Sequence, residues 1–62
     1  MNRIFHLGQR VRFIWHIKND LTPVYMEGEI VGIYGPEENP VTIDTISNIG
    51  RTAHRPWQLE LL

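Results

Sequence analysis

Cysteine is absent from this 62-residue chain. No disulfide can reinforce its core, and the composition is compatible with a reducing compartment. Serine occurs once, as Ser47, so nucleophilic catalysis has almost no material. No apolar run exceeds the three residues of Phe13-Ile14-Trp15, far short of the roughly 20 that a membrane span needs. Charge of one sign is also missing. Six Lys+Arg stand against seven Asp+Glu, for a net charge of −1, whereas a general polyanion binder carries a basic excess. Helix signals are scarce, because five Gly and four Pro interrupt the chain and no long segment free of both shows a 3.6-residue period. Met1-Asn2-Arg3-Ile4-Phe5-His6 has one positive charge and no apolar stretch after it, so no secretory signal, no membrane association and a cytoplasmic location are expected.

Strand signals are abundant. From Gln9 to Lys18 the residues alternate, with Val11, Phe13, Trp15 and Ile17 on one face and Arg10, Arg12, His16 and Lys18 on the other. That is the two-residue period of a half-buried strand. It places Phe13 and Trp15 in the core and leaves Ile14 on the polar face. Asn19-Asp20-Leu21-Thr22-Pro23 reads as a loop. A second strand is expected from Val24 to Tyr34, with Gly28 and Gly32 marking a bend, a bulge or close backbone approach. Glu27 and Glu29 should face water, which requires a bulge or a second buried face near Val31 and Ile33. Gly35 to Pro40 is a turn. A third strand follows from Val41 to Ile46, with Val41, Ile43 and Thr45 on one side. Ser47 to Gly50 is a tight connection, and Arg51 to Arg55 a short fourth strand. Pro56-Trp57-Gln58 fits a 3-10 turn, and Leu59 to Leu62 a last strand.

A chain this short forms one domain and buries only about 60% of its unfolded surface. Five short strands with kinking glycines therefore point to an all-β fold, a five-stranded SH3-like barrel with a 3-10 turn before the last strand. The domain is expected to span residues 1–62, with residues 1–7 as a loosely ordered N-terminal arm.

Gly8-Gln9-Arg10-Val11-Arg12 and Gly28-Glu29-Ile30-Val31-Gly32-Ile33-Tyr34, with Pro56 and Leu59, resemble the type II, plasmid- and integron-borne dihydrofolate reductases. Asn39-Pro40-Val41-Thr42-Ile43 with Glu60-Leu61 is similar to the small SH3-like subunit of photosystem I. The reductase resemblance implies a homotetramer around a pore, lined by a Val-Gln-Ile-Tyr segment just before the proline. Here that place holds Thr52-Ala53-His54-Arg55, and the family's pore-mouth lysine is replaced by Phe13. The groups that would bind NADPH and dihydrofolate are therefore missing, and a divergent reductase stays as the enzyme-class alternative. A short barrel of this kind is compatible with a phage, plasmid or integron-cassette product.

The remaining chemistry is that of contact. Ser47, His54 and Asp44 are the only materials for a nucleophilic triad, and Ser47 reads more simply as a turn residue. His6, His16 and His54 lack zinc-motif spacing. Glu37 and Glu38 read as a solvated turn. Arg51, His54 and Arg55 cluster around the fourth strand, and Arg10, Arg12 and Lys18 share one face of the first. Such groups hold phosphates beside a stacking Trp57 or Tyr, or else pair with Glu27, Glu29 and Asp44 across strands. Tyr25, Tyr34 and Trp57 fall near loops, where aromatic grooves take proline-rich or methylated peptides. The expected contact surface is Arg51, His54, Arg55, Trp57, Tyr25 and Tyr34, with no catalytic residue, metal or cofactor. Ile14, Val31 or Ile33, and Leu59 to Leu62 exceed what one small interior holds, so a homo-oligomer is expected. The expected function is a non-catalytic binding module with a protein or peptide partner. A small nucleic-acid-binding barrel is the other alternative.

Overall fold

The computed structural model describes residues 5–62. Five antiparallel strands form one sheet: β1 (Arg10–Ile17), β2 (Pro23–Tyr34), β3 (Thr42–Ser47), β4 (Gly50–His54) and β5 (Glu60–Leu61). A 3-10 turn, Pro56–Gln58, precedes β5. Among the described residues the fold is all-β, and no helix is long and apolar enough to cross a membrane. The five expected strands and the turn are present in the expected order, with strand ends displaced by at most one residue.

The strand order is β4-β3-β2-β1-β5. Hydrogen bonds do not close the sheet into the expected barrel, since β4 and β5 are its two edges. The sheet is nevertheless strongly curled. In a flat sheet β1 and β4 would stand three strand spacings apart, roughly 14 Å. Here the rings of Phe13 on β1 and His54 on β4 have centroids 4.2 Å apart.

The core lies inside this curl. Phe5, Val11, Phe13, Ile30, Ile43 and Leu59 form it, with Met26, Ile33 and Ile49 packed against them. Val11, Ile30 and Ile43 are at most 1% exposed, and each such side chain contributes roughly 1.5–3 kcal/mol. Thr45 is fully buried among them. Glycine permits the curl at a specific point. A Cβ on Gly28 would stand 2.7 Å from the backbone oxygen of Ile46, so β2 approaches β3 there only without a side chain.

Two bulges set which residues face inward. In β2, Ile30 pairs with Thr45 and Gly32 with Asp44, leaving Val31 as the extra residue. This bulge is one of the two solutions expected for Val31 and Ile33. In β1, Ile14 pairs with Tyr25 and His16 with Val24, so Trp15 is extra. An inserted residue interrupts the two-residue rhythm. It corrects the expectation that Trp15 is core: Trp15 is 49% exposed, and no residue of β1 beyond Phe13 is buried. Val41, expected to open the third strand, instead closes the preceding turn by donating its N–H to the Tyr34 carbonyl at 2.8 Å.

Of the expected N-terminal arm, residues 1–4 lie outside the described residues. Phe5 is buried, the Gly8 N–H donates to the Ile30 carbonyl at 2.8 Å, and the Ile30 N–H donates to the Gln9 carbonyl at 2.9 Å.

Candidate functional site

A groove of about 310 Å³ opens where the curl brings β4 toward β1. Its lining comes from three places in the chain. Arg12, Phe13 and Ile14 come from β1, Tyr25 from β2 and His54 from β4, while Trp57, Gln58 and Glu60 belong to the 3-10 turn and β5. Phe13 and His54 reach it from the inner side of the curl. Arg12, Ile14 and Tyr25 reach it from the outer face, where Ile14 and Tyr25 are direct cross-strand partners.

The polar wall is held in place by its own charges. Arg12 Nε donates to Glu60 Oε1 at 2.7 Å, and the guanidinium carbon lies 4.2 Å from the centroid of the Tyr25 ring. Arg12 therefore spends its charge on a carboxylate and an aromatic face, which orients Tyr25. The opposite wall is the 3-10 turn. Gln58 Oε1 accepts the Arg55 N–H at 2.8 Å, and the Gln58 N–H donates to the Arg55 carbonyl at 3.0 Å. These two bonds fix the turn that carries Trp57, whose side chain is 80% exposed.

His54 separates this groove from a shallower concavity lined by Thr42, Ala53, His54, Arg55 and Gln58. Its Nε2 lies 2.8 Å from Thr52 Oγ1, which in turn lies 3.2 Å from Thr45 Oγ1. Burial lowers the His54 pKa below its ordinary value, while the Asp44 carboxylate opposes that shift.

The six expected contact residues do not form one surface. Tyr25, His54 and Trp57 share the groove. Arg55 lines the neighbouring concavity and donates from Nη1 to the Val41 carbonyl at 3.1 Å. Arg51 and Tyr34 line neither. Arg51 binds Asp44 Oδ2 at 3.0 Å and donates to the Tyr34 hydroxyl at 3.2 Å. Arg12, Ile14, Gln58 and Glu60 belong to the groove and were not among the expected contact residues. Only the alternation that puts Arg12 and Ile14 on the outer face of β1 hinted at two of them.

The basic residues pair largely within the chain. Arg10 lies 3.7 Å from Glu27, and Arg51 holds Asp44. Both are among the expected carboxylate partners, whereas Arg12 takes Glu60 instead. No triad assembles from Ser47, His54 and Asp44. The Ser47 hydroxyl accepts the Ile49 N–H at 3.4 Å, His54 bonds Thr52, and Asp44 bonds Arg51. Among the described residues, no group of three His, Asp or Glu side chains is placed to hold a metal ion.

Comparison with protein-family models, curated proteins and solved structures finds no match to the chain.

Proposed function

We propose that the chain is a non-catalytic binding module that takes a peptide segment of a partner protein in the groove between Tyr25, His54 and Trp57. The observation that carries this reading is Trp57, a large ring left 80% exposed on a turn pinned at both ends, lining a groove it shares with Tyr25 and Ile14. Fixed aromatic rings offer contact area at little entropic cost, and aromatic-lined grooves favour extended, proline-containing segments. The groove's one ion pair, Arg12 with Glu60, is internally neutralised, which favours an uncharged side chain over a phosphate.

Panning a random peptide library displayed on phage tests this. Enriched peptides should bind with a change in Trp57 fluorescence, and Trp57→Ala should weaken them at least about tenfold, as for an aromatic anchor. Failure to enrich any peptide, or undiminished binding to Trp57→Ala, would overturn the reading.

The alternatives draw less support. Against nucleic acid, Arg12, Arg51 and Arg55 each already donate to an acceptor within the chain, and Arg10 lies in an ion pair with Glu27. Against reductase chemistry, Phe13 is buried at the position of the pore-mouth lysine, and His54 Nε2 is engaged by Thr52. Titration with oligonucleotides at low salt, and an NADPH oxidation assay with dihydrofolate, check them directly.

Self-association is a second reading with its own observation. Ile14, Trp15 and Ile17 on β1 are each about half exposed.

A further inference from the structure

We infer that a second copy of this chain docks edge to edge on the uncovered half of β1, from Phe13 to Ile17. This rests on the self-association reading and names its interface, which adjoins the peptide groove at Phe13 and Ile14.

The inference starts from the length of β5. β1 has eight residues, but β5 pairs only with Val11 and Arg12. Among the described residues, no strand lies beside the rest of that edge. Backbone direction follows from the ladder. The Leu62 N–H donates to the Arg10 carbonyl at 3.0 Å, so Arg10, Arg12 and, by alternation, Ile14 turn their backbone groups toward the β5 side. The bulge at Trp15 then shifts the alternation. Lys18 bonds inward, its N–H donating to the Thr22 carbonyl at 2.9 Å, and Ile17 lies opposite Pro23, which has no N–H. Ile17 therefore turns its backbone groups outward, as Ile14 does. An unpaired edge of this kind is a template for another strand, and proteins guard such edges with charge or proline. Phe13-Ile14-Trp15-His16-Ile17 contains no proline, lysine, arginine or carboxylate. Its one guard is the bulge, which leaves the Trp15 side chain 49% exposed.

Charge selects the occupant. An antiparallel two-fold pairing centred between Trp15 and His16 sets Ile14 of each copy against Ile17 of the other, the two residues whose backbone groups face outward, and sets no like charges against each other. The other free edge, β4, is less suited to self-pairing, because Arg51 lies on it and Arg55 directly follows it, and like charges across a pair destabilise it. The docked strand continues the line of β5 and joins two sheets into one.

Sedimentation velocity between 10 and 500 μM tests the inference on the intact chain, with circular dichroism to verify folding. The wild type should rise from 7.3 kDa toward twice that mass. Ile17→Lys and Trp15→Lys, at exposed positions, should stay monomeric across the range, and Ala53→Lys on β4 should still dimerise. A monomeric wild type at 500 μM would overturn self-association itself. Dimers that survive both β1 variants, or that are lost only in Ala53→Lys, would overturn the interface while leaving self-association intact.

Discussion

The ring of Phe13 packs against the ring of His54 with an interplanar angle of 41°, joining the second strand from one edge of the sheet to the strand at the other. That contact makes the curl of the sheet and the floor of the groove one feature. Phe13 is buried as core, and its neighbour is the only histidine among the contact residues expected from the sequence. Loosening this pair would loosen both the fold and the site.

His54 should make stability depend on pH. Burial lowers its pKa in the folded chain, so the unfolded chain takes up a proton first as pH falls through about 6.5. The stabilisation is fully present above that value and is lost as pH drops toward the lowered folded pKa. In the protonated ring Nε2 can only donate to Thr52 Oγ1, which fixes the direction of the chain that reaches the buried Thr45 hydroxyl. Thermal melts from pH 7.5 to 5 should show Tm falling in the wild type. The slope should be smaller in His54→Gln, which retains a polar side chain without the titration.

Gly28 should not tolerate a side chain. An added Cβ meets the Ile46 backbone oxygen at 2.7 Å, and the carbonyl cannot rotate away without breaking the β2–β3 ladder. Gly28→Ala is expected to cost about 1–3 kcal/mol. In a domain of this size each kcal/mol lowers Tm by roughly 4–8 °C. A thermal or urea melt measures it, and an unchanged midpoint would show that the two strands can separate freely there.

Leu21 stands at φ 69° in the β1–β2 loop, and its side chain is 81% exposed. A branched apolar residue pays steric strain in that left-handed conformation, which asparagine adopts more readily. The loop has independent support, since the Thr22 N–H donates to Asp20 Oδ1 at 3.0 Å and the Leu21 N–H donates to the Lys18 carbonyl at 2.9 Å. Leu21→Asn should therefore stabilise the chain by about 0.5–1 kcal/mol, measured by denaturant unfolding at low micromolar concentration.

Trp57 should separate binding from folding. Its ring contributes little to the core, so Trp57→Ala is expected to change stability by no more than about 0.5 kcal/mol. Phe13→Ala should instead cost about 3–5 kcal/mol. Paired urea titrations distinguish the two; a large loss in Trp57→Ala would mean the turn depends on the ring.

Strand identity was legible because it is local. Val11 and Phe13 fell on a two-residue rhythm and are buried, and Pro56 opened the 3-10 turn where the fixed backbone angle of proline favours one. The rhythm failed at Trp15. A bulge depends on which residue of β2 lies opposite, and Ile14 with Tyr25 followed by His16 with Val24 is a pairing no single strand encodes. The candidate site was legible only in part for a related reason. Tyr25, His54 and Trp57 were recognisable as aromatic or titratable groups near loops, but Arg51 and Tyr34 carried the same signals and lie elsewhere. The bond that ties Arg12 to Glu60 spans 48 positions, so nothing local announces it.

What the order of residues determined alone is the menu of strands, turns and alternating faces, since these follow from backbone sterics and the period of side-chain exposure. What the tertiary structure decided is which faces meet. Cross-strand register placed both bulges, curling brought Phe13 to His54, and the shortness of β5 left half of β1 uncovered. Those outcomes depend on contacts between residues far apart in the chain, whose energies are set only when the sheet folds over its core.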